Sequence, residues 1–109
     1  MSSEKKKIRY DFMTAIFERD GHRCAVCKSG EYTLDAHHIT NRSDMVGGGY
    51  VLENGISLCP ADHLKAENYH KDKLPEYSPE ELYALIGSSK ELAEKKSNER
   101  MVKHGSRKI

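Results

Sequence analysis

Asp35-Ala36-His37-His38-Ile39, then Glu53-Asn54-Gly55-Ile56-Ser57-Leu58-Cys59, then Pro60-Ala61-Asp62-His63: these residues, read together, decide the fold. Cys24-Ala25-Val26-Cys27 stands just ahead of them. His37, His38, His63, Asn54 and all the cysteines of a 109-residue chain fall inside this window. Packing alone does not call for so many metal-capable side chains so close together. The window reads as two metal sites, one placed for chemistry and one structural.

Outward from it, the chain alternates short elements. Ile8, Phe12 and Ile16 recur at helical spacing, with Met13 and Phe17 beside them, and predict an amphipathic helix over 8–19. Asp20-Gly21 ends that helix. Residues 24–30 predict a metal knuckle closed by Gly30. Residues 33–40 read as one strand and 56–59 as a second, antiparallel to it. Between them lies a polar loop with Gly47-Gly48-Gly49, either flexible or open to the close approach of a ligand. Pro60 suits the first turn of a helix running to about Tyr69. Ser78-Pro79-Glu80-Glu81 is a helix start, followed by the apolar Leu82, Leu85 and Ile86. Residues 90–103 are helix-permissive but poor in apolar side chains. The expected class is α+β: a small hairpin-and-helix core around a metal, with a knuckle and flanking helices.

Composition sets bounds. At this length there is room for one domain, with 37% hydrophobic residues and no Trp. Such a core is expected to be marginal, so a metal brace is plausible. No apolar run is long enough to span a bilayer, and the charged start shows no secretion signal, so the expected compartment is the cytoplasm. An odd cysteine count with CxxC spacing then favours thiolate ligation over disulfides. The net charge of +1 hides basic ends around an acidic centre. The organisation expected is a disordered basic lead over 1–7, a core domain over 8–86, and a basic helical extension or tail over 87–109. Such ends meet a polyanion or simply keep a small protein in solution.

Zinc prefers four tetrahedral ligands from Cys, His and carboxylate. Cys24, Cys27 and Cys59 offer three. The spacing of the first pair, repeated from Cys59, falls on Asp62. The alternative is that Cys59 is a small buried hydrophobe and Asp62 caps the helix. The histidines suit a different task. Cleaving a phosphodiester needs a base for water, a cation for the developing charge, and groups that hold both in line. Histidine suits the base because its ordinary pKa is about 6.5.

DAHHI, ENGISLC and the following His63 resemble the HNH endonuclease family with its ββα-metal fold, over roughly 19–67. The resemblance implies His38 as general base and His37 and His63 as ligands of a divalent ion, Mg²⁺ or Mn²⁺. It implies Asn54 as a residue that orients the base or joins the metal shell, Asp35 as an outer partner, and DNA as the substrate, cut to leave 5′-phosphate ends. It also implies a separate zinc on the cysteines, with Asp62 standing where zinc-bearing members usually have Cys. Glu67, four residues past His63, faces the same side of a helix, as an extra partner of the site or a partner for a surface Lys. Arg42, Tyr50 and Lys65 are candidate substrate contacts. The rival readings are a zinc-braced DNA-binding module without catalysis and an RNA-cleaving enzyme or toxin on the same scaffold. Adjacent strand residues point to opposite faces, so His37 and His38 share a site only if the strand bends or ends there.

Overall fold

In a computed structural model, the described residues are 3–31 and 33–105, with side chains for 4–31 and 33–100. Helix α1 spans Ser3–Arg19. It begins ahead of Ile8, so residues 3–7, expected as a disordered basic lead, are helical. Residues 1 and 2 lie outside the described part. The charged residues Glu4 to Lys7 are helix-permissive. Lys7 also donates to Asp11 one turn on, at 2.8 Å. Phe12 and Ile16 are buried, as their spacing predicts, whereas Met13 is 39% exposed.

Strand β1 is Asp35–His38 and strand β2 is Gly55–Leu58. They pair antiparallel, with Asp35 opposite Leu58 and His38 opposite Gly55. Helix α2 is Pro60–Glu67, with Pro60 in its first turn, and a single further turn, α3, is Tyr69–Asp72. Helix α4 is Pro79–Leu85, capped by Ser78, whose Oγ accepts from the Glu81 amide. Helix α5 is Lys90–Gly105. The residues beyond 105, at the basic end, lie outside the described part.

The end of α1 is riveted to β2. Arg19 donates to the Gly55 carbonyl at 2.7 Å, and Asp20 accepts from the Ser57 amide at 2.9 Å. Gly55 makes the close packing possible. A Cβ there would lie 1.9 Å from Ile16 Cδ1 and 2.9 Å from Phe12 Cζ. Without it, α1 lies directly on the hairpin, and Phe12 reaches the residue paired with Gly55, which is His38.

The glycine loop has a structural task. Gly47 has φ +84, and a Cβ on it would lie 2.6 Å from the Ser97 carbonyl oxygen of α5. Ser97 is fully buried, donates to the Val46 carbonyl at 2.7 Å and accepts from the Gly49 amide at 3.0 Å. The close approach that the glycines permit is thus to a helix. Gly47→Ala combines left-handed strain with a clash against backbone, so its expected cost is about 2–4 kcal/mol. Gly87 also has a positive φ, but nothing lies within 4 Å of its Cβ position. Thermal melts of the two variants therefore separate clash from strain: Gly47→Ala should melt well below Gly87→Ala. Equal melting points would remove the α5 seat.

Candidate metal centres and active site

The cysteine cluster forms first from local geometry. After α1, the Cys24 amide donates to the Ser29 carbonyl and the Lys28 amide to the Cys24 carbonyl, closing the knuckle. Lys28 takes a left-handed φ of 67 there. The Ala25 amide donates to the Ser57 carbonyl at 2.8 Å, which ties the knuckle to β2. Cys59 follows β2 directly and starts α2. One turn into α2, Asp62 is buried. Its Oδ2 lies 3.2 Å from Cys24 Sγ and 3.3 Å from Cys59 Sγ, and Cys27 Sγ lies 3.9 Å from Cys59 Sγ. A tetrahedron with arms of about 2.3 Å has edges of about 3.8 Å, so the four donors fit one zinc-sized ion. The chain thus gathers the donors that the CxxC and CxxD spacings select.

Tyr77 completes the group and was not foreseen in the sequence. Its hydroxyl donates to Asp62 Oδ1 at 2.7 Å, so one carboxylate oxygen faces the sulfurs and the other is held in place. This is the outer-partner arrangement that fixes a ligand's orientation. The carboxylate is occupied in this way rather than in capping α2. Although burial works against it, the bonds from Tyr77 and the cysteines hold Asp62 below the usual carboxylate range. Burial pushes the Cys59 thiol up to about 11, so metal entry releases a proton from it. Lys65 is exposed, and its Nζ lies 5.8 Å from the Tyr77 ring. That contact puts it beside the cysteine cluster rather than with the histidines.

The second group draws on β1 and α2. His37 and His63 have ring centroids 5.2 Å apart, and Glu67 Oε2 lies 3.2 Å from His63 Nε2. Donor atoms of His37, His63 and Glu67 lie within 4.8 Å of one another, a spread that fits one divalent ion. Asp35 Oδ2 lies 3.1 Å from His63 Nδ1. Asp35 and His37 share a strand face by the two-residue period, which is why both reach α2. Asp35 thus takes one ring nitrogen of His63 and leaves the other toward Glu67. Glu67 pairs with His63 rather than with a surface Lys.

His38 points the other way, as that period demands. Its ring stacks on Phe12 of α1, with centroids 4.4 Å apart and 22° between planes, and meets Tyr50 edge-on at 4.8 Å. Nε2 is buried without a hydrogen-bond partner among the described residues. The strand ends at His38, and a cleft of about 340 Å³ opens there onto both His38 and His63, with Arg9, Asp35, Arg42 and Tyr50 on its walls. The cleft thus joins His38 to His63, while His37 is not on its walls.

Burial pushes both histidines down to about 4. His63 and His38 add to the effect at His37, and Arg42 adds to it at His38. Both are therefore neutral at pH 7, able to ligate or to accept a proton. Their folded pKa lies below the unfolded value of about 6.5, so they add stability that is complete above 6.5 and is lost as pH falls toward 4. In the protein freed of added ions, their imidazole NMR signals should stay unchanged from pH 7 to 5.5 and move only near pH 4. A midpoint near 6.5 for either would contradict the burial of that ring.

Asn54 is fully buried, and its side-chain amide is engaged with backbone groups and Tyr83 rather than with either cluster. Its Nδ2 donates to the Thr40 and Gly49 carbonyls, and its Oδ1 accepts from the Thr40 amide and the Tyr83 hydroxyl. Both donors and both lone pairs are used. The Ile39 amide also donates to the Asn54 carbonyl at 2.9 Å. Asn54 thus clamps the two residues that follow His38 and the end of the glycine loop.

No curated protein and no solved structure matches the chain. A family model described as HNH endonuclease matches residues 24–69, from the first knuckle cysteine past the end of α2. That segment, which holds both donor clusters and His38, is similar to the HNH endonuclease family.

Proposed function

We propose that the protein is a metal-dependent endonuclease that hydrolyses DNA phosphodiester bonds, with His38 as general base. HNH domains act on nucleic acids as nucleases. The observation that carries the finer reading is the cleft at the end of β1. An imidazole held neutral at pH 7 lines that cleft together with His63, one of the three donors of the candidate ion site.

His37, His63 and Glu67 would hold a divalent ion, which supplies charge to offset that developing on the phosphate. The chain's own residues do the rest. The neutral His38 imidazole takes a proton from water as the water oxygen bonds to phosphorus and the bond to the 3′ oxygen breaks. Phe12 and Tyr50 fix the plane of the His38 ring. Asn54 fixes the backbone just beyond it, as a positioning residue. Asp35 holds the His63 ring through Nδ1. The cysteine cluster, with zinc, would hold the knuckle to the start of α2 and so set where His63 stands.

The test is nicking of supercoiled plasmid by the purified protein with Mg²⁺, Mn²⁺ or no added divalent ion, beside single-stranded DNA and RNA. Nicking of duplex DNA that needs the added ion is the expected result. Tight binding with no cleavage under any ion would make the chain a binding module. Cleavage confined to RNA would move it to a ribonuclease.

A further inference from the structure

Around Tyr50 the chain gathers positive charge that no carboxylate answers among the described residues. Arg42, from the loop after β1, donates to the Tyr50 hydroxyl at 2.8 Å. Arg9, from α1, lines the same cleft, and its charge acts on the same phenol. Arg100, from α5, lies 5.9 Å from the ring centroid. Neither Arg9 nor Arg42 has an ion pair among the described residues. Of the acids nearby, Asp35 is engaged with His63, and Asp11 with Lys7. The phenol oxygen accepts from arginine, and no acceptor faces its own proton among the described residues. Two guanidiniums and one hydroxyl therefore converge as donors on a cleft that His38 also lines.

Two unpaired guanidiniums on one phenol repel each other, and such an arrangement is relieved by an anion that both can reach. Guanidinium forks match phosphate oxygens in shape as well as charge. The phenol is itself perturbed: although burial works the other way, Arg42 and Arg9 hold it below the usual tyrosine range. The edge-on contact with His38 at 4.8 Å sets how far this site lies from the base. The separation is short enough that one strand would fill both places.

We infer that Arg9, Arg42 and the Tyr50 hydroxyl form one shared site for a single backbone phosphate of the strand being cut, next to the phosphate attacked at His38. This rests on the nuclease reading for the identity of the strand, though not for the existence of an anion site. It also gives α1 a role in the reaction: a bound phosphate would bridge α1 to the loop after β1 and close the cleft over His38.

The test is binding of a labelled DNA duplex by fluorescence anisotropy at several salt concentrations, with no added divalent ion, so that cleavage plays no part. One phosphate contact contributes about 0.9 to the slope of log affinity against log salt. Arg9→Gln and Arg42→Gln should each flatten the slope by up to that amount, and the double variant by no more than about 0.9 in total. Tyr50→Phe keeps the ring against His38 and Phe12; it should weaken binding several-fold and leave the slope nearly unchanged. An unchanged slope in the double variant overturns the placing of a strand phosphate at the site, and two full, additive losses overturn the sharing. A parallel measurement follows ³¹P line broadening of inorganic phosphate. If the unsubstituted protein broadens that signal and the double variant does not, while DNA slopes are equal, the site takes free phosphate and the strand assignment falls. If the protein binds no DNA at all, the nuclease reading fails separately, and inorganic phosphate alone decides the anion site: no broadening overturns it.

Discussion

His38→Ala is expected to lower cleavage by about 100- to 10,000-fold, the usual range for losing a general base, while leaving metal content unchanged. Neither donor cluster includes His38, so its removal takes no ligand from either ion. Its ring does stack on Phe12, so some stability is lost with it, about 1 kcal/mol. Thermal melts therefore accompany the assay, at a temperature where both proteins are folded. His37→Ala and His63→Ala should behave differently. They remove donors, so activity should fall mainly through a higher requirement for Mg²⁺ or Mn²⁺. Retention of most activity by His38→Ala at saturating ion would take the base role away from this residue. The pH profile sharpens the point. With His38 pushed down to about 4, the base is already neutral at pH 5.5, so its own titration adds no rise in rate between pH 5.5 and 8. The unperturbed value of about 6.5 would have put such a rise inside that range.

Much of this arrangement was legible in the sequence because spacing alone carries it. CxxC and CxxD select four donors that do come together, and His63 and Glu67 share a helix face by the i,i+4 rule. The strand period foretold that His37 and His38 would diverge, though where the strand ends could not be read. What escaped is what depends on the third dimension. Residues 90–103 looked featureless because the helix packs through Ala93 and Ser97, small residues that a search for apolar side chains passes over. Gly47-Gly48-Gly49 suggested a ligand because the partner that needs the room, Ser97, is 50 residues away in the chain. Asn54 was recognised as important, but the inward, fully used amide that clamps the chain after His38 was not predictable from its position. Phe12 was read only as a helix residue, and Arg9 only as part of a basic end that could add non-specific affinity for DNA. Their place beside His38 depends on Gly55 letting α1 settle on the hairpin, a long-range contact with no local signature.

Asp62→Ala should release zinc on mild chelation and lower the melting temperature by several degrees. The substitution removes a fourth donor from the cysteine cluster, and a three-donor zinc keeps an open position suited to chemistry rather than structure. It also leaves the buried Tyr77 hydroxyl without its acceptor, a cost of about 1–3 kcal/mol apart from any metal. The two effects separate in a cycle with Tyr77→Phe. That variant alone should keep zinc but yield it to a chelator more readily, because Asp62 loses the bond that turns it toward the sulfurs. Asp62→Cys supplies a softer ligand and should hold zinc more firmly than the parent. Its melting temperature gains in full only when Tyr77→Phe removes the stranded hydroxyl as well. The protein as purified should carry about one zinc per chain. If Asp62→Ala holds zinc as firmly as the parent, Asp62 is not a ligand and its role is confined to Tyr77 and the thiols. If the parent carries no zinc under metal-replete expression, the cysteine cluster is held by its hydrogen bonds alone. His63, one residue beyond Asp62, would then owe its place to Asp35 and the packing of α2 rather than to an ion.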